Sequence, residues 1–287
     1  MTRTLTLVAL IGLLANHADA DPAPAPSATS APVADTSADW VRIEYVKPKN
    51  PAHEPLYVDV RSRHLLEQYA EAVKVFRLPR TLTLKFAGCD GESNAFYLDT
   101  TKSVIFCYEL LADIHSDARK VIAKHPHLSS RDAVDGPTTF FTLHEIGHAV
   151  FDLLEIPVFG KEEDAADIFA TVALIHLDPE FALRMISGAA WAFQADVRRH
   201  LDASDFADTH SLDSQRYYEI LCLAYGSNAD VYATAVKVGK LPPERAARCG
   251  TEYRKALYAF EKLLSPSTDV RQLDRVIMQH KVEKLPR

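Results

Sequence analysis

The chain has 287 residues, a formal charge of −7 and 25% charged residues, with no basic run. That mildly acidic balance argues against nucleic acid as the main partner. No segment after the N-terminal leader carries the run of about 18 apolar residues that a membrane span requires, so none is expected in the mature protein.

Residues 1–20 read as a secretory signal peptide: Arg3 supplies a short basic start, residues 5–15 an apolar run, and Ala18-Asp19-Ala20 an A-x-A cleavage site. No Cys follows that site, which argues against a lipid anchor. The protein is therefore expected to be exported, periplasmic or secreted. Residues 21–39 are Pro, Ala and Ser without apolar period and are expected to form a flexible tether. The folded domain is expected over 40–287, with an N-lobe over about 40–155 and a helical C-lobe over about 156–287.

Residues 40–46 alternate as a strand does, and 59–76 carry a helical stripe through Leu65, Leu66, Tyr69, Ala72, Val73 and Phe76. Residues 81–86 alternate again. Residues 94–98 and 103–107 flank a turn at 99–102 and read as a hairpin. Residues 108–124 return to helical spacing. Asp135-Gly136-Pro137 signals a helix start, and the helix should run to about Glu155 and stop at Pro157. A second helix is expected over 161–177, then others over 180–201, 214–224, 229–238, 243–264 and 271–280. The fold class is α+β: a small N-terminal sheet with helices, then a helical C-terminal lobe.

Four Cys in an exported chain suggest disulfides, and sequence alone allows three pairings of Cys89, Cys107, Cys222 and Cys249. Cys89–Cys107 with Cys222–Cys249 is the local choice. A four-Cys zinc cluster is disfavoured because no C-x-x-C pair is present.

The chemistry concentrates in TLHEIGHA, residues 142–149. On a helix His144 and His148 point the same way and can hold one zinc ion, with Glu145 beside a water that the metal polarises. A catalytic zinc needs three protein ligands and an open position. The next helix opens KEEDAAD, in which Glu163 and Asp167 share a face. Glu163 is the candidate third ligand, with Glu162 or Asp164 as substitutes if the helix phase differs. Asp167 can accept the other ring N–H of a ligating His.

HEIGH followed by EDAAD resembles the gluzincin arrangement of thermolysin-like metallopeptidases, with a shorter spacing between the two helices. The chain more closely resembles a family of secreted bacterial zinc metallopeptidases known as a domain of unknown function. The matching pieces are Cys89, Asn94-Ala95-Phe96-Tyr97, Cys107-Tyr108-Glu109-Leu110, His144 to His148, Gly160 to Asp167, His210 to Arg216, Cys222, Tyr225-Gly226 and Arg245 to Cys249. The resemblance implies a zincin-like fold with the active-site helix between two lobes, one Zn²⁺ per chain on His144, His148 and Glu163, and Asp167 supporting a ligand His. It implies hydrolysis of a peptide or protein substrate, with Glu145 as the acid–base group.

Thermolysin-like enzymes stabilise the oxyanion with a His and a Tyr of the C-terminal lobe. In FADTHSLDSQRYY, residues 206–218, His210 is the candidate, oriented by Asp205, Asp208 or Asp213, with Tyr217 and Tyr218 as phenol candidates. Arg216 and Arg245 read as buried ion-pair partners. Residues 103–107 are expected to form the free sheet edge along the cleft, to which an extended peptide could add. Tyr97 and Tyr108 read as core or cleft wall. His115, His125 and His127 are assigned no role. The rival readings are a catalytically silent zincin scaffold that keeps zinc for stability, against which the intact Glu145 counts, and a zinc hydrolase of non-peptide amides. Oligomeric state is not legible.

Overall fold

Hydrophobic alternation in the N-terminal part builds four strands, described together with the rest of the fold by a computed structural model covering residues 40–122, 128–194 and 201–268. The expected signal peptide and tether, His125, His127, residues 195–200 of the helix expected over 180–201, and the helix expected over 271–280 lie outside those residues. The strands are β1 (Val41–Tyr45), β2 (Leu82–Ala87), β3 (Ala95–Leu98) and β4 (Ser103–Cys107). They form one mixed sheet in the order β1-β2-β4-β3. β1 and β4 run parallel to β2, with Thr83 opposite Ser103 and Phe86 opposite Phe106. β3 returns antiparallel on β4, with Ala95 opposite Phe106.

That order corrects one expectation. Residues 103–107 do not form the free edge; β4 is paired on both sides and β3 is the edge. Either arm of a hairpin can lie outermost, and the parallel pairing of β2 with β4 decides it. Leu82, Leu84 and Phe86 of β2 and Val104 and Phe106 of β4 are buried, as an interior pair of strands requires.

Ten helices are described: α1 (Glu54–Ser62), α2 (Leu65–Val73), α3 (Tyr108–Ile122), α4 (Asp132–Leu153), α5 (Glu162–Ile175), α6 (Pro179–Gln194), α7 (Ala203–Ala207), α8 (Asp213–Ser227), α9 (Ala233–Lys237) and α10 (Pro243–Leu264). The molecule is α+β, a small N-terminal sheet followed by a helical region. The stripe over 59–76 is split into α1 and α2 because His64 takes a left-handed conformation (φ 53°) between them. The segment 229–238 is helical only over α9, since the Asn228 side chain accepts the N–H groups of Asp230 and Val231 and holds a turn instead.

Helix α4 is the centre of the fold, packed against α5, α6, α3 and the β3–β4 hairpin. It starts at Asp132 rather than at the Asp135-Gly136-Pro137 signal. The Ser129 hydroxyl oxygen accepts the Asp132 N–H at 3.0 Å and so caps the extra turn. Gly136 does a different job: α4 crosses α6 there, and a Cβ would come within 2.5 Å of the Gly188 Cα. Nearly every side of α4 is covered, and among its few polar residues in contact with the core is His144, 3% exposed. Two largely buried disulfides, Cys89–Cys107 from the loop after β2 to the end of β4 and Cys222–Cys249 between α8 and α10, have the local pairing expected.

Candidate metal centre

The motif His144-Glu145-x-x-His148 lies in the second half of α4, so the two imidazoles project from one face a turn apart. The chain then leaves α4, reverses through Gly160, whose φ of 120° suits only glycine, and opens α5 at Glu162. This brings the acidic first turn of α5 over the two histidines.

Glu163 is the carboxylate that falls between them. Its Oε2 lies 3.1 Å from His144 Nε2 and 3.2 Å from His148 Nε2, and the two Nε2 atoms are 3.2 Å apart. Three donor atoms thus form a nearly equilateral triangle. Tetrahedral ligands about 2.0–2.1 Å from a zinc ion stand roughly 3.3 Å from one another, so this set fits such an ion with little movement. Among the described residues the other grouping of metal-binding types, Cys89, Cys107 and Glu109, is a disulfide beside a carboxylate.

Each imidazole also has its second nitrogen engaged. His144 Nδ1 lies 2.7 Å from Asp167 Oδ1, and His148 Nδ1 lies 2.8 Å from Glu162 Oε1. Those bonds fix the rings so that both Nε2 atoms face Glu163. Asp167 is in turn gripped by Arg216, through Nε at 2.7 Å and Nη2 at 2.8 Å. The Arg216 guanidinium lies over the Phe193 ring at 4.3 Å. A buried bidentate pair of this kind offsets the loss of hydration on both charges.

Charge and burial pull against each other here. Burial disfavours the cationic form of His144, but the bonds to Asp167 and Glu163 outweigh it and hold the imidazole pKa up at about 9. Burial likewise opposes charge on His148, and Glu163 and Glu162 reverse the effect. Hydrogen bonds from His144, His148 and His210 hold the Glu163 carboxyl far below the usual carboxylate range. Burial would raise Asp167, yet Arg216 and His144 bring it below its ordinary value. The carboxylates that raise the imidazoles' affinity for a proton would raise it equally for a metal cation.

Glu145 faces the same cleft but is not in the triangle: its Oε1 is 4.0 Å from His144 Nε2. Burial pushes its carboxyl up, against the pull of the two histidines. The nearby main chain of Tyr97 on β3 also favours its charged form. A mostly buried carboxylate with a raised pKa beside a candidate metal centre suits proton transfer.

His210 is brought to the site as well. Its Nε2 lies 2.8 Å from Glu163 Oε2, its ring stacks on His144 at 5.9 Å, and its Nδ1 lies 3.3 Å from Asp208. Of the three aspartates considered, Asp208 contacts His210. Its bond to Glu163 raises the His210 pKa above the ordinary value, against burial. Lys161 donates to the carbonyls of Asp208 and His210, at 3.2 and 3.3 Å, and ties this segment to the start of α5.

The structure does not bring the phenol candidates here. The Tyr217 hydroxyl is buried with no hydrogen-bond partner among the described residues, and neither Tyr217 nor Tyr218 lines the cleft. The tyrosine on the cleft wall is Tyr97, whose hydroxyl donates to Asp152. Arg245 pairs with Glu219 and Glu252, away from the cleft. Asp164 takes no part in the triangle. The cleft has a volume of about 690 Å³ and runs along the β3 edge. Its walls are Asn94 to Tyr97 and Phe141 on one side and Leu201 to Arg216 on the other. Glu162 reads from sequence as a substitute ligand and Arg216 as an ion-pair residue, but their actual partners lie 14 and 49 residues away and are not marked by any local pattern.

Residues 45–264 match a protein family described as "putative metallopeptidase". No curated protein and no solved structure matches the chain. The match spans most of the chain, and the protein belongs to that metallopeptidase family.

Proposed function

We propose that the protein is an exported zinc-dependent peptidase of gluzincin type, hydrolysing peptide bonds in the cleft between β3 and residues 201–216. The observation that carries this reading is the triangle of His144 Nε2, His148 Nε2 and Glu163 Oε2, with both Nδ1 atoms already engaged and Glu145 beside it. A zinc ion held there would polarise the scissile carbonyl and lower the pKa of the attacking water.

The remaining work falls to the chain. Glu145 takes the proton from the water and passes it to the leaving nitrogen. Its raised pKa suits both halves of that transfer. His210, oriented by Asp208, donates from Nε2 to the oxyanion that develops on the carbonyl. The outward carbonyls of Ala95 and Tyr97 on β3 accept N–H groups of an extended substrate main chain, which makes binding tolerant of side-chain sequence. The two disulfides, together with the reading of residues 1–20 as a leader, support export.

The test is zinc per chain by elemental analysis, on the protein from residue 21 and on Glu163→Ala, followed by a peptide-library cleavage screen with Glu145→Ala as the blank. About one zinc in the wild type and a large loss in Glu163→Ala are expected. Cleavage should fall by roughly 10²- to 10⁴-fold in Glu145→Ala, the share of a general base. Wild-type protein that takes up no zinc would overturn the reading. Zinc bound without cleavage would leave a silent scaffold.

A further inference from the structure

One carboxylate of α4 holds the side chain of a tyrosine on the cleft-edge strand. The Tyr97 hydroxyl donates to Asp152 Oδ2 at 2.5 Å. Glu145 and Asp152 are two helical turns apart, about 10 Å along the axis at 1.5 Å per residue, and so share a face. Lys102, in the hairpin turn, donates to the same Asp152 oxygen at 2.5 Å. The hairpin is thereby fastened at Tyr97 and at its turn to the helix that carries His144 and His148.

The strand pattern makes this possible. The Cys107 N–H donates to the Asn94 carbonyl, so in the antiparallel ladder the groups of Asn94, Phe96 and Leu98 face β4. The main-chain groups of Ala95 and Tyr97 point the other way, to the open edge along the cleft. An edge strand has a neighbour on one side only, and a short hairpin is marginal without further support. Asp152 supplies that support from the rim, where its side chain is 39% exposed and Lys102 is 21% exposed. The two donors hold its carboxyl below the usual range, so it stays ionised.

We propose that Tyr97, Asp152 and Lys102 form a clamp that fixes the β3 edge against the active-site helix, with Tyr97 and Asp152 as positioning residues for the substrate main chain. The role in positioning substrate rests on the peptidase reading above. The clamp itself does not. A misplacement of about 1 Å at a reacting centre costs on the order of 10²-fold in rate, so the register of the edge strand matters to catalysis without touching the reacting atoms.

The test uses the zinc-loaded full chain, wild type, Tyr97→Phe and Asp152→Asn. Amide hydrogen exchange is followed by mass spectrometry over residues 95–98 and over the α4 segment around His144. Tyr97→Phe removes one oxygen and should leave the fold and the zinc content intact. Exchange over 95–98 should speed up about tenfold, the scale of one hydrogen bond to a charged group, with α4 unchanged. KM for a cleaved peptide should rise about tenfold with a smaller change in kcat, a split that general destabilisation would not produce. Asp152→Asn keeps an acceptor for Tyr97 but loses the charge and should lie between. Unchanged exchange over 95–98 in both variants overturns the clamp. Faster exchange with unchanged KM overturns its role in positioning substrate. Should the wild type bind zinc and cleave no peptide, the peptidase reading fails and the exchange result still decides the clamp.

Discussion

The rings of His144 and His210 stack at 5.9 Å, yet they are held by different means. His144 stands on a 22-residue helix with its side chain 4% exposed, bonded to an aspartate that is itself locked by Arg216. His210 sits between a five-residue helix and α8 with its side chain 42% exposed. Its supports are an exposed aspartate two residues away and a lysine that reaches two carbonyls. The difference separates two tasks. A metal cradle gains from being rigid before the ion arrives, because each ligand then needs no ordering on binding. A group that meets charge only as it develops can be held by weaker bonds, provided it reaches the right place.

Arg216 tests the rigid half most severely, and the largest effect is expected there. Arg216→Met leaves Asp167 buried with His144 as its one remaining cationic partner and should cost up to about 3–5 kcal/mol of stability, measured by denaturant unfolding of the metal-free protein. Zinc affinity, read by competition with a chelator, should weaken by roughly 10- to 100-fold as His144 loses its orientation. Adding Asp167→Asn should recover much of the stability, because a neutral amide leaves no buried charge, but not the zinc affinity. A loss below about 1 kcal/mol in the single variant would mean that the pair is solvated and the cradle is no more rigid than the His210 segment.

How these two halves were read from sequence differs in the same way. His144, His148, Glu163 and Asp167 repeat at one-turn intervals on two helices, so local periodicity alone puts them on common faces. α10 and most of α5 were legible for the same reason. Arg216 was legible as an ion-pair residue but not as the partner of Asp167, since nothing local links positions 49 residues apart. The edge strand was misassigned because a hairpin's pattern is symmetric, and only the pairing of β2 with β4 breaks the symmetry. Gly136 and Pro137 looked like a start signal because both residue types favour helix ends. Here the crossing with Gly188 explains the glycine, and the Ser129 cap moves the start back to Asp132. Tyr217 and Tyr218 were chosen by nearness to His210 in sequence, whereas the helical turn that follows carries them off the cleft wall.

His210→Ala sharpens the comparison from the other side. Removing one oxyanion donor should lower kcat by about 10²- to 10³-fold, while zinc per chain and zinc affinity stay at the wild-type value. Equal losses of zinc affinity in His210→Ala and Arg216→Met would erase the division of tasks and make His210 part of the cradle, a reading its 2.8 Å contact with Glu163 makes worth excluding.

The smallest effect is expected at Lys161, and it asks how His210 reaches its place. The ammonium donates to the Asp208 and His210 carbonyls at 3.2 and 3.3 Å, on an exposed surface. Hydrogen bonds of that kind contribute about 0.5–1.5 kcal/mol at most, less where water competes. Lys161→Met should therefore lower kcat only a few-fold, with KM, zinc content and unfolding midpoint close to wild type. Lys161→Arg keeps a donor within reach of both carbonyls and should restore most of the rate. Because Lys161 directly precedes Glu162 and Glu163, a change in zinc affinity would show that its substitution disturbs the start of α5 instead. An unchanged kcat would show that Asp208 and the contact with Glu163 suffice to hold His210 without Lys161.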